Sequence, residues 1–319
     1  MTNRVVVTDY TFPELGQEQA AAESAGASFE AFQCKDEAEV VKAVAGANVV
    51  AVQFAPFGAA AIGALAPGAT IIRYGVGYDN IDVAAANAAG MKVGYVPDYC
   101  ADEVADHTAA AALTLLRKLV PLDASVRRGE WAAVKISKPM KPFSETVFGF
   151  FGLGQIGQAV LARLKGFGFQ FIVSDPGLNA QQAEALGVTL VDAETLLKTA
   201  DIISLHAPGT PQTTGFFNAE RLAMMQPHAM IVNSARGQLI VEEDLAEALQ
   251  NGVIAGAALD VFCVEPLPET SSLRNAPGLL LTPHAAWFSD AAISKLQGLV
   301  AQDITRALNG DAPRKPVNK

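Results

Sequence analysis

The chain has 319 residues, of which 50% are hydrophobic and 18% are charged, and its formal net charge is −10. This composition excludes an intrinsically disordered protein and a small scaffold held together by disulfides, and the length is typical of about two domains. Lysine and arginine number only 23 and form no dense run, so the sequence lacks the positive patch of nucleic-acid-binding proteins and the basic segment that binds anionic membranes.

Short apolar runs alternate with helix-like stretches over the first hundred residues. Strands are predicted over 5–7, 29–32, 49–52, 71–72 and 93–96. Helical stretches are predicted over 14–26 and 37–45, and an alanine-rich helix ends at Gly90. This alternation is typical of a parallel sheet that is covered by helices on both faces.

The pattern changes after residue 102. A single long helix is predicted over 103–119, and an irregular segment with Pro121, Pro139 and Pro142 follows it. A second series of strands is then predicted over 147–151, 171–174, 188–191, 202–205, 230–233, 253–259 and 279–281. Apolar residues at helical spacing near the end (Ile293, Leu296, Val300 and Ile304) predict a final amphipathic helix.

The cysteines and the N-terminus bear on where the protein resides. Cys34, Cys100 and Cys263 are widely spaced and form no C-x-x-C pair, which favours free thiols in a reducing compartment. The N-terminus lacks an apolar core long enough for a signal peptide. The uncharged stretch over 43–72 is rich in alanine and interrupted by proline and glycine, which indicates buried structure and not a membrane span. We therefore expect a cytoplasmic protein with no membrane contact.

A glycine-rich motif follows the first strand of the second series. The strand over 147–151 runs into Gly-Leu-Gly-Gln-Ile-Gly at 152–157, and a helix follows. Gly152 permits a tight turn, Gly154 lets the backbone approach a pyrophosphate, and Gly157 allows the helix to pack closely against the strand. The first helical residues, Gln155 and Ile156, would present N–H groups to the phosphates. The alternative is a turn whose glycines only pack.

An acidic residue at the end of the next strand supports dinucleotide binding. Asp175 lies 18 residues after Gly157, close to the spacing of a carboxylate that binds the adenosine ribose. Its charge would repel a 2′-phosphate, and no lysine or arginine follows before Lys198. The sequence therefore predicts NAD as the cofactor in preference to NADP.

Reduction of a ketone requires a proton donor, and a carboxylate substrate requires a cation. The chain offers four histidines, at His107, His206, His228 and His284. Segments 233–237, 259–266 and 281–287 each follow a predicted strand, at the edge of a parallel sheet where ligands bind. Arg236, Glu265 and His284 lie in these three segments and are predicted to converge on one small anion. The alternatives are that Arg236 forms a surface ion pair, that Glu265 is only a loop charge, and that His284 serves as a cap.

The ordered motifs resemble the D-specific 2-hydroxyacid dehydrogenases over nearly the whole chain. The resemblance rests on the glycine loop with Asp175, on Ala-Arg-Gly at 235–237, on Asp-Val and Glu-Pro within 260–266, and on Pro-His at 283–284. Segments 73–82, 103–108 and 205–208 agree with it. Residues 284–287 and the region 96–108 look most like the C-terminal-binding-protein branch.

The resemblance implies a role for each candidate residue. Arg236 would bind the substrate carboxylate, His284 would donate a proton to the keto oxygen, and Glu265 would orient the imidazole. Residues expected near the cofactor, besides the glycine loop and Asp175, are Thr108, His206, Ala207, Pro208, Ser234, Ala235 and Asp260. Residues expected near the substrate, besides Arg236, are Tyr74, Gly75, Val76 and Trp287. His107 and His228 are interpreted as structural, no metal site is assigned, and the aromatic residues could equally belong to the core.

The predicted fold is α/β, with two doubly wound parallel-sheet domains and a cleft between them. A flavodoxin-like substrate domain is predicted over 1–100 and 288–319, and a Rossmann NAD-binding domain over 101–287. The leading hypothesis is an NAD-dependent oxidoreductase, a homodimer by resemblance, that interconverts a 2-keto acid and a D-2-hydroxy acid. The alternative is an NAD(H)-sensing, corepressor-like interaction module. The substrate side chain stays open, since Arg73 would suit a phosphate and Trp287 an apolar group.

Overall fold

A computed structural model describes residues 2–318, which form two compact α/β units. One unit comprises the chain up to Cys100 together with the segment from Ser289 onward, and the other is Ala101–Phe288. Each unit contains one parallel sheet. None of the helices within residues 2–318 is both long and apolar enough to cross a membrane.

The first unit is built on a five-stranded sheet with the order β2-β1-β3-β4-β5. Its strands are β1 (Arg4–Val7), β2 (Ser28–Ala31), β3 (Val49–Val52), β4 (Thr70–Arg73) and β5 (Lys92–Tyr95). The connecting helices are α1 (Gly16–Ser24), α2 (Glu37–Val44), α3 (Ala59–Gly63) and α4 (Val83–Ala88). All strand pairs are parallel and every residue of β3 is buried, as expected for a sheet covered on both faces. The strand order is that of flavodoxin-like folds, so this prediction is confirmed.

The second unit contains a seven-stranded parallel sheet with the order β12-β11-β10-β9-β6-β7-β8. Its strands are β6 (Val147–Phe151), β7 (Gln170–Ser174), β8 (Thr189–Leu190), β9 (Ile202–Leu205), β10 (Met230–Asn233), β11 (Gly256–Leu259) and β12 (Leu279–Leu281). Its helices are α5 (Ala101–Leu116), α6 (Leu119–Arg127), α7 (Ala133–Ser137), α8 (Gln155–Leu164), α9 (Ala180–Leu186), α10 (Ala193–Thr199), α11 (Ala219–Leu222) and α12 (Glu242–Gln250). The order from β8 to β11 is the Rossmann order, and the strand order reverses between β6 and β9.

The last helix, α13 (Asp290–Leu308), belongs to the first unit and packs on α1. The side-chain amide of Gln297 donates to the carbonyl of Glu14 and to the carboxylate of Glu18. Beyond α13 the chain runs beside β5, where Pro316 pairs with Gly94 in antiparallel direction. These contacts give the docking position of the final helix, which its periodicity alone does not define.

The region after α5 differs from the prediction. The helix predicted over 103–119 ends at Leu116, and Lys118 adopts a φ of +52°, which a right-handed helix cannot continue through. The segment predicted as irregular contains α6 and α7. Pro121 lies in the first turn of α6. An N–H at this position would have no acceptor within the helix, so proline costs the helix no hydrogen bond there.

Candidate active site

The glycine motif lies at the carboxyl end of β6, next to the point where the strand order reverses. Gly152 has a φ of +84°, and a Cβ there would lie 2.9 Å from the Ala207 nitrogen. A Cβ on Gly157 would lie 3.3 Å from the His206 ring. Gly154 is different, since a Cβ there would meet no atom of the described chain within 4 Å. Gly152 and Gly157 therefore serve packing, whereas Gly154 borders open space.

Helix α8 begins within the motif and has no side-chain cap. Gly154 is the N-cap residue of α8 and has no side chain to accept the first helical N–H groups, which include those of Gln155 and Ile156. These N–H groups have no acceptor within the helix, and the helix dipole is positive at this end. An uncapped N-terminus beside the open face of Gly154 fits the pyrophosphate of a dinucleotide.

Asp175 follows β7 and is fixed beside the glycine motif. One carboxylate oxygen accepts the Leu153 N–H at 2.7 Å, and the other accepts the Gly177 N–H at 2.7 Å. The side chain is half-buried. Its position at the end of the strand next to β6 is the one expected for a carboxylate that binds a ribose. The residues of this region therefore fit NAD.

The His206 side chain packs beside the glycine motif, next to Gly157. Its half-buried ring packs 5.8 Å from the Phe150 ring, and its Nε2 lies 2.8 Å from the Ser204 hydroxyl. Burial lowers the pKa of His206 to about 4, so the ring is neutral at physiological pH. The ring lies close to Gly157, so the side chain supports the motif, and a cofactor contact by His206 stays a prediction. Cofactor contacts by Ala207 and Pro208 stay a prediction.

Arg236, Glu265 and His284 each follow one of three neighbouring strands. Arg236 comes after β10, Glu265 after β11 and His284 after β12, and these strands are adjacent and parallel. Their carboxyl ends therefore meet at one edge of the sheet.

Glu265 and His284 form a hydrogen-bonded pair. His284 Nδ1 lies 2.7 Å from Glu265 Oε2, while Glu265 Oε1 accepts the Phe262 N–H at 2.9 Å. Burial acts to raise the pKa of Glu265, but the hydrogen bond and charge of His284, the Phe262 N–H and the positive charge of Arg236 together hold it below its ordinary value. The structure thus joins Glu265 and His284 directly and places Arg236 close enough for its charge to act on Glu265.

The loop after β10 is held by a buried asparagine. Asn233 accepts the Ala235 N–H at 3.0 Å and donates to the Arg236 carbonyl at 2.8 Å. Arg236 Nη1 donates to the Ala235 carbonyl at 2.6 Å. On α5, the fully buried Thr108 donates to a carbonyl of its own helix, so the Ser234 hydroxyl, 2.5 Å away, donates to Thr108. Thr108 therefore anchors this loop, a role additional to the predicted cofactor contact.

Asp260 organises the turn that carries His284. Asp260 is 3% exposed, and its backbone carbonyl accepts the His284 N–H at 2.8 Å. Its carboxylate accepts the next two N–H groups, from Ala285 at 2.8 Å and Ala286 at 3.0 Å, and the Thr282 hydroxyl at 2.6 Å. His284 has a φ of +52°, a backbone conformation that costs a non-glycine residue about 1–2 kcal/mol. The sequence predicts Asp260 near the cofactor but does not reveal this role.

In the first unit, Tyr74 is a core residue. The side chain is 1% exposed, its hydroxyl donates to Glu18 at 3.0 Å, and its ring packs 5.2 Å from that of Phe12. The prediction of a substrate contact is therefore wrong for the Tyr74 side chain, because the phenol is fully used inside its own unit.

The turn after β4 carries Gly75 and Val76, whose predicted contacts with the substrate stay predictions. Gly75 has a φ of +127°, and a Cβ there would overlap the Arg73 guanidinium. The Gly75 N–H donates to the Arg73 carbonyl, so it is already engaged. The Arg73 guanidinium donates to the Tyr74 carbonyl and lies 5.9 Å from the Phe54 ring. Arg73 therefore stabilises this turn, and Val76 stays a predicted substrate contact.

Trp287 follows the histidine turn directly. Its half-buried ring packs edge-on against Phe288, with 5.9 Å between the ring centroids, and Phe288 is exposed. A contact of Trp287 with the substrate side chain stays a prediction.

The other two histidines occupy opposite ends of the second sheet. His228 Nε2 lies 2.5 Å from Asp201, and these residues precede β10 and β9 at the amino edge. His107 Nε2 lies 3.2 Å from the Thr282 hydroxyl and 3.8 Å from Asp260, at the edge that carries the candidate site. Sequence reasoning missed this location, although the neighbouring Thr108 was already a candidate.

Comparison with known proteins agrees with this geometry. Residues 109–286 match the family model for the NAD binding domain of D-isomer specific 2-hydroxyacid dehydrogenase. A D-3-phosphoglycerate dehydrogenase from Methanocaldococcus jannaschii is 41% identical over 247 residues, which cover 77% of this chain and 47% of that protein. The chain thus spans about half the length of this relative. A glyoxylate reductase from Thermococcus litoralis is 37% identical over 256 residues, 78% of this chain and 76% of that protein.

A solved structure matches the whole chain. The TT0316 protein from Thermus thermophilus superposes with a TM-score of 0.87 and 31% sequence identity, covering 99% of this chain and 100% of that one. The names of the relatives favour the oxidoreductase hypothesis over the interaction module, while the likeness to the C-terminal-binding-protein branch stays a prediction. The chain belongs to the D-isomer-specific 2-hydroxyacid dehydrogenase family, and its second unit contains the NAD-binding domain of that family.

Proposed function

We propose that the protein is an NAD-dependent oxidoreductase that interconverts 2-keto acids and D-2-hydroxy acids. The observation that carries the proposal is the hydrogen-bonded pair of Glu265 and His284, with the charge of Arg236 acting on it, at the carboxyl edge of an NAD-binding sheet. Family membership supports the same reaction class.

Arg236 binds the carboxylate of the substrate. A guanidinium is permanently charged and presents a planar set of donors that matches a carboxylate, and each charge-assisted hydrogen bond contributes about 1.5–3 kcal/mol. The bond from Arg236 to the Ala235 carbonyl and the bonds of Asn233 hold the loop that positions it.

His284 supplies the proton. Its Nδ1 is bonded to Glu265, so the proton for the substrate leaves from Nε2 and goes to the keto oxygen. Bound NADH supplies the hydride that reduces C2. The Glu265 carboxylate stabilises the imidazolium before transfer and fixes the ring orientation throughout. After transfer His284 is neutral and takes up a proton from solvent; oxidation of the hydroxy acid runs the same steps in reverse.

The cofactor is held by the glycine motif and Asp175. The pyrophosphate would lie against the open face of Gly154 at the N-terminus of α8, and Asp175 would accept hydrogen bonds from the ribose hydroxyls. The negative charge of Asp175 disfavours the 2′-phosphate of NADP. Gly152 and Gly157 keep the loop close to the sheet so that this surface stays accessible.

The test is NADH oxidation, followed by absorbance, with a panel of 2-keto acids. The panel contains glyoxylate, hydroxypyruvate, its 3-phosphate, pyruvate and phenylpyruvate, because relatives are named for glyoxylate and for D-3-phosphoglycerate. We expect turnover of at least one compound, near-complete loss in His284→Ala, and retained activity in the matched control His228→Ala. Absence of turnover on every keto acid, or full kcat in His284→Ala, contradicts the proposal.

We also propose that the protein is a homodimer. Large apolar side chains are exposed along α6, α7 and the loop between them, and Trp131 is 94% exposed; the others are Leu119, Val120, Val126 and Val134. Exposed apolar clusters of this kind commonly mark contacts between proteins. Sedimentation of the wild type should give a dimer and sedimentation of Trp131→Asp a larger monomer fraction; a monomeric wild type contradicts the proposal.

A cytoplasmic location is proposed on the state of the cysteines. Within residues 2–318, Cys34, Cys100 and Cys263 form no disulfide, which supports a reducing environment. Fractionation of the source cells, with detection of the native protein, tests this.

A further inference from the structure

His107 touches the hydrogen-bond network that holds the turn of His284. The network starts at Asp260, which accepts the N–H groups of three consecutive residues, 284 through its carbonyl and 285 and 286 through its carboxylate. Because His284 has a left-handed backbone, the orientation of its imidazole depends on these bonds.

The Thr282 hydroxyl links this carboxylate to His107. It donates its single proton to Asp260 Oδ1 at 2.6 Å. The contact with His107 Nε2 at 3.2 Å must therefore have the imidazole as donor and the hydroxyl as acceptor. His107 consequently carries a proton on Nε2, and it fixes the rotation of the Thr282 hydroxyl toward Asp260.

His107 is the accessible end of this chain of bonds. Its side chain is 28% exposed, whereas that of Asp260 is 3% exposed. The next residue on α5, Thr108, binds Ser234 in the loop that precedes Arg236. Two consecutive residues of one helix thus hold the loops that carry the proposed proton donor and the proposed carboxylate ligand.

We infer that His107 is a positioning residue for the reaction: through Thr282 and Asp260 it holds the His284 turn in the orientation needed for proton transfer. This inference rests on the proposed function. Loss of the His107 donor leaves the Thr282 hydroxyl free to rotate away from Asp260. The turn then holds the His284 imidazole in a less fixed orientation, while the residues of the glycine motif are unchanged. The effect therefore falls on kcat and not on cofactor binding.

Kinetics of matched variants test the inference. His107→Leu and Thr282→Val should each lower kcat about tenfold, within the roughly 100-fold that misplacement of a catalytic group can cost, with unchanged Kd for NADH. The double variant should be no slower than either single variant, because both break the same chain of bonds. His107→Gln retains a donor and should restore kcat to within about threefold of wild type. His228→Leu, which removes a histidine bonded to another buried aspartate, is the control and should retain kcat.

Nitrogen NMR of histidine-labelled protein gives a readout that does not depend on turnover. The chain has only four histidines. His107 should show a protonated Nε2 in the cofactor-free wild type, and its signal should shift in Thr282→Val while that of His228 does not. A His107 proton on Nδ1 alone, full kcat in His107→Leu, or effects of the two substitutions that multiply would overturn the inference. A wild type that turns over no keto acid defeats the proposed function instead, and the NMR result still decides the bonding of His107.

Discussion

Replacement of single glycines in the motif separates cofactor contact from packing. In Gly154→Ala the added methyl meets no atom of the described chain within 4 Å, and the φ of −70° suits alanine. Alanine is a poorer N-cap than glycine by up to about 1 kcal/mol, and the lower entropy of the unfolded chain offsets about 0.4–1 kcal/mol of this. The free energy of unfolding should therefore change little.

In Gly152→Ala the methyl group meets the protein itself. A φ of +84° costs alanine about 1–2 kcal/mol, and overpacking against the backbone of residues 206 and 207 adds about 1–3 kcal/mol. This variant should lose stability as well as cofactor affinity. Gly166→Ala, where a Cβ also meets nothing within 4 Å and which lies outside the motif, is the control and should change neither property.

NADH fluorescence titration and urea unfolding of the three variants give the answer. A methyl forced between Gly154 and the pyrophosphate should cost about 1–3 kcal/mol of binding, which is about 5- to 150-fold in Kd. Gly154→Ala should thus bind NADH weakly at full stability. If it binds like the wild type, the pyrophosphate lies elsewhere; if it is as unstable as Gly152→Ala, the open space beside it is occupied and the geometric reasoning is wrong.

Three further substitutions test other parts of the account. Asp175→Ala should weaken NADH about tenfold and reduce the preference for NADH over NADPH, measured as the ratio of kcat/KM values; an unchanged ratio removes Asp175 from the ribose site. Glu265→Gln should lower the free energy of unfolding at pH 7 by only about 0.2–1 kcal/mol, since the pair with His284 is part-exposed. The folded-state pKa of Glu265 is lowered, so the stability that its charge contributes is lost, and the difference shrinks, as the pH falls below about 4.3. Thermal melts of both proteins at several pH values measure this, and a difference that stays constant with pH would contradict it. Tyr74→Phe should cost about 1–3 kcal/mol in urea unfolding, because Glu18 loses a buried donor, and should leave the KM for the keto acid unchanged; a raised KM would return Tyr74 to the substrate site.

Local pattern was sufficient for the strands and for the motif between β6 and α8. Apolar runs such as 49–52 and 202–205 are buried on both faces, so their composition reveals them without reference to the rest of the chain. The break between α5 and α6 was not visible, because residues 115–120 stay mostly apolar and only the backbone of Lys118 marks the boundary. Strand order is likewise absent from local pattern, since it depends on pairings between distant segments.

In the candidate site, too, local sequence pattern predicts some residues, whereas the roles of others depend on contacts between distant segments. Arg236, Glu265 and His284 were predictable as a set because each follows a strand of one parallel sheet. The roles of Asp260, Thr282 and His107 were not, because they depend on hydrogen bonds between the ends of different strands and on which face of α5 meets them. Tyr74 was misassigned for a related reason, since position beside a motif does not reveal where a side chain points.

The proposed reaction requires that Arg236 holds the substrate carboxylate while His284 delivers a proton to the keto oxygen. A crystal structure of the complex with NADH and the unreactive pyruvate analogue oxamate tests it most directly. The carboxylate of oxamate should lie on the Arg236 guanidinium, its amide oxygen should lie within hydrogen-bond distance of His284 Nε2, and Glu265 should remain on Nδ1. Oxamate bound with its carboxylate away from Arg236, or with no contact to His284, would contradict the account.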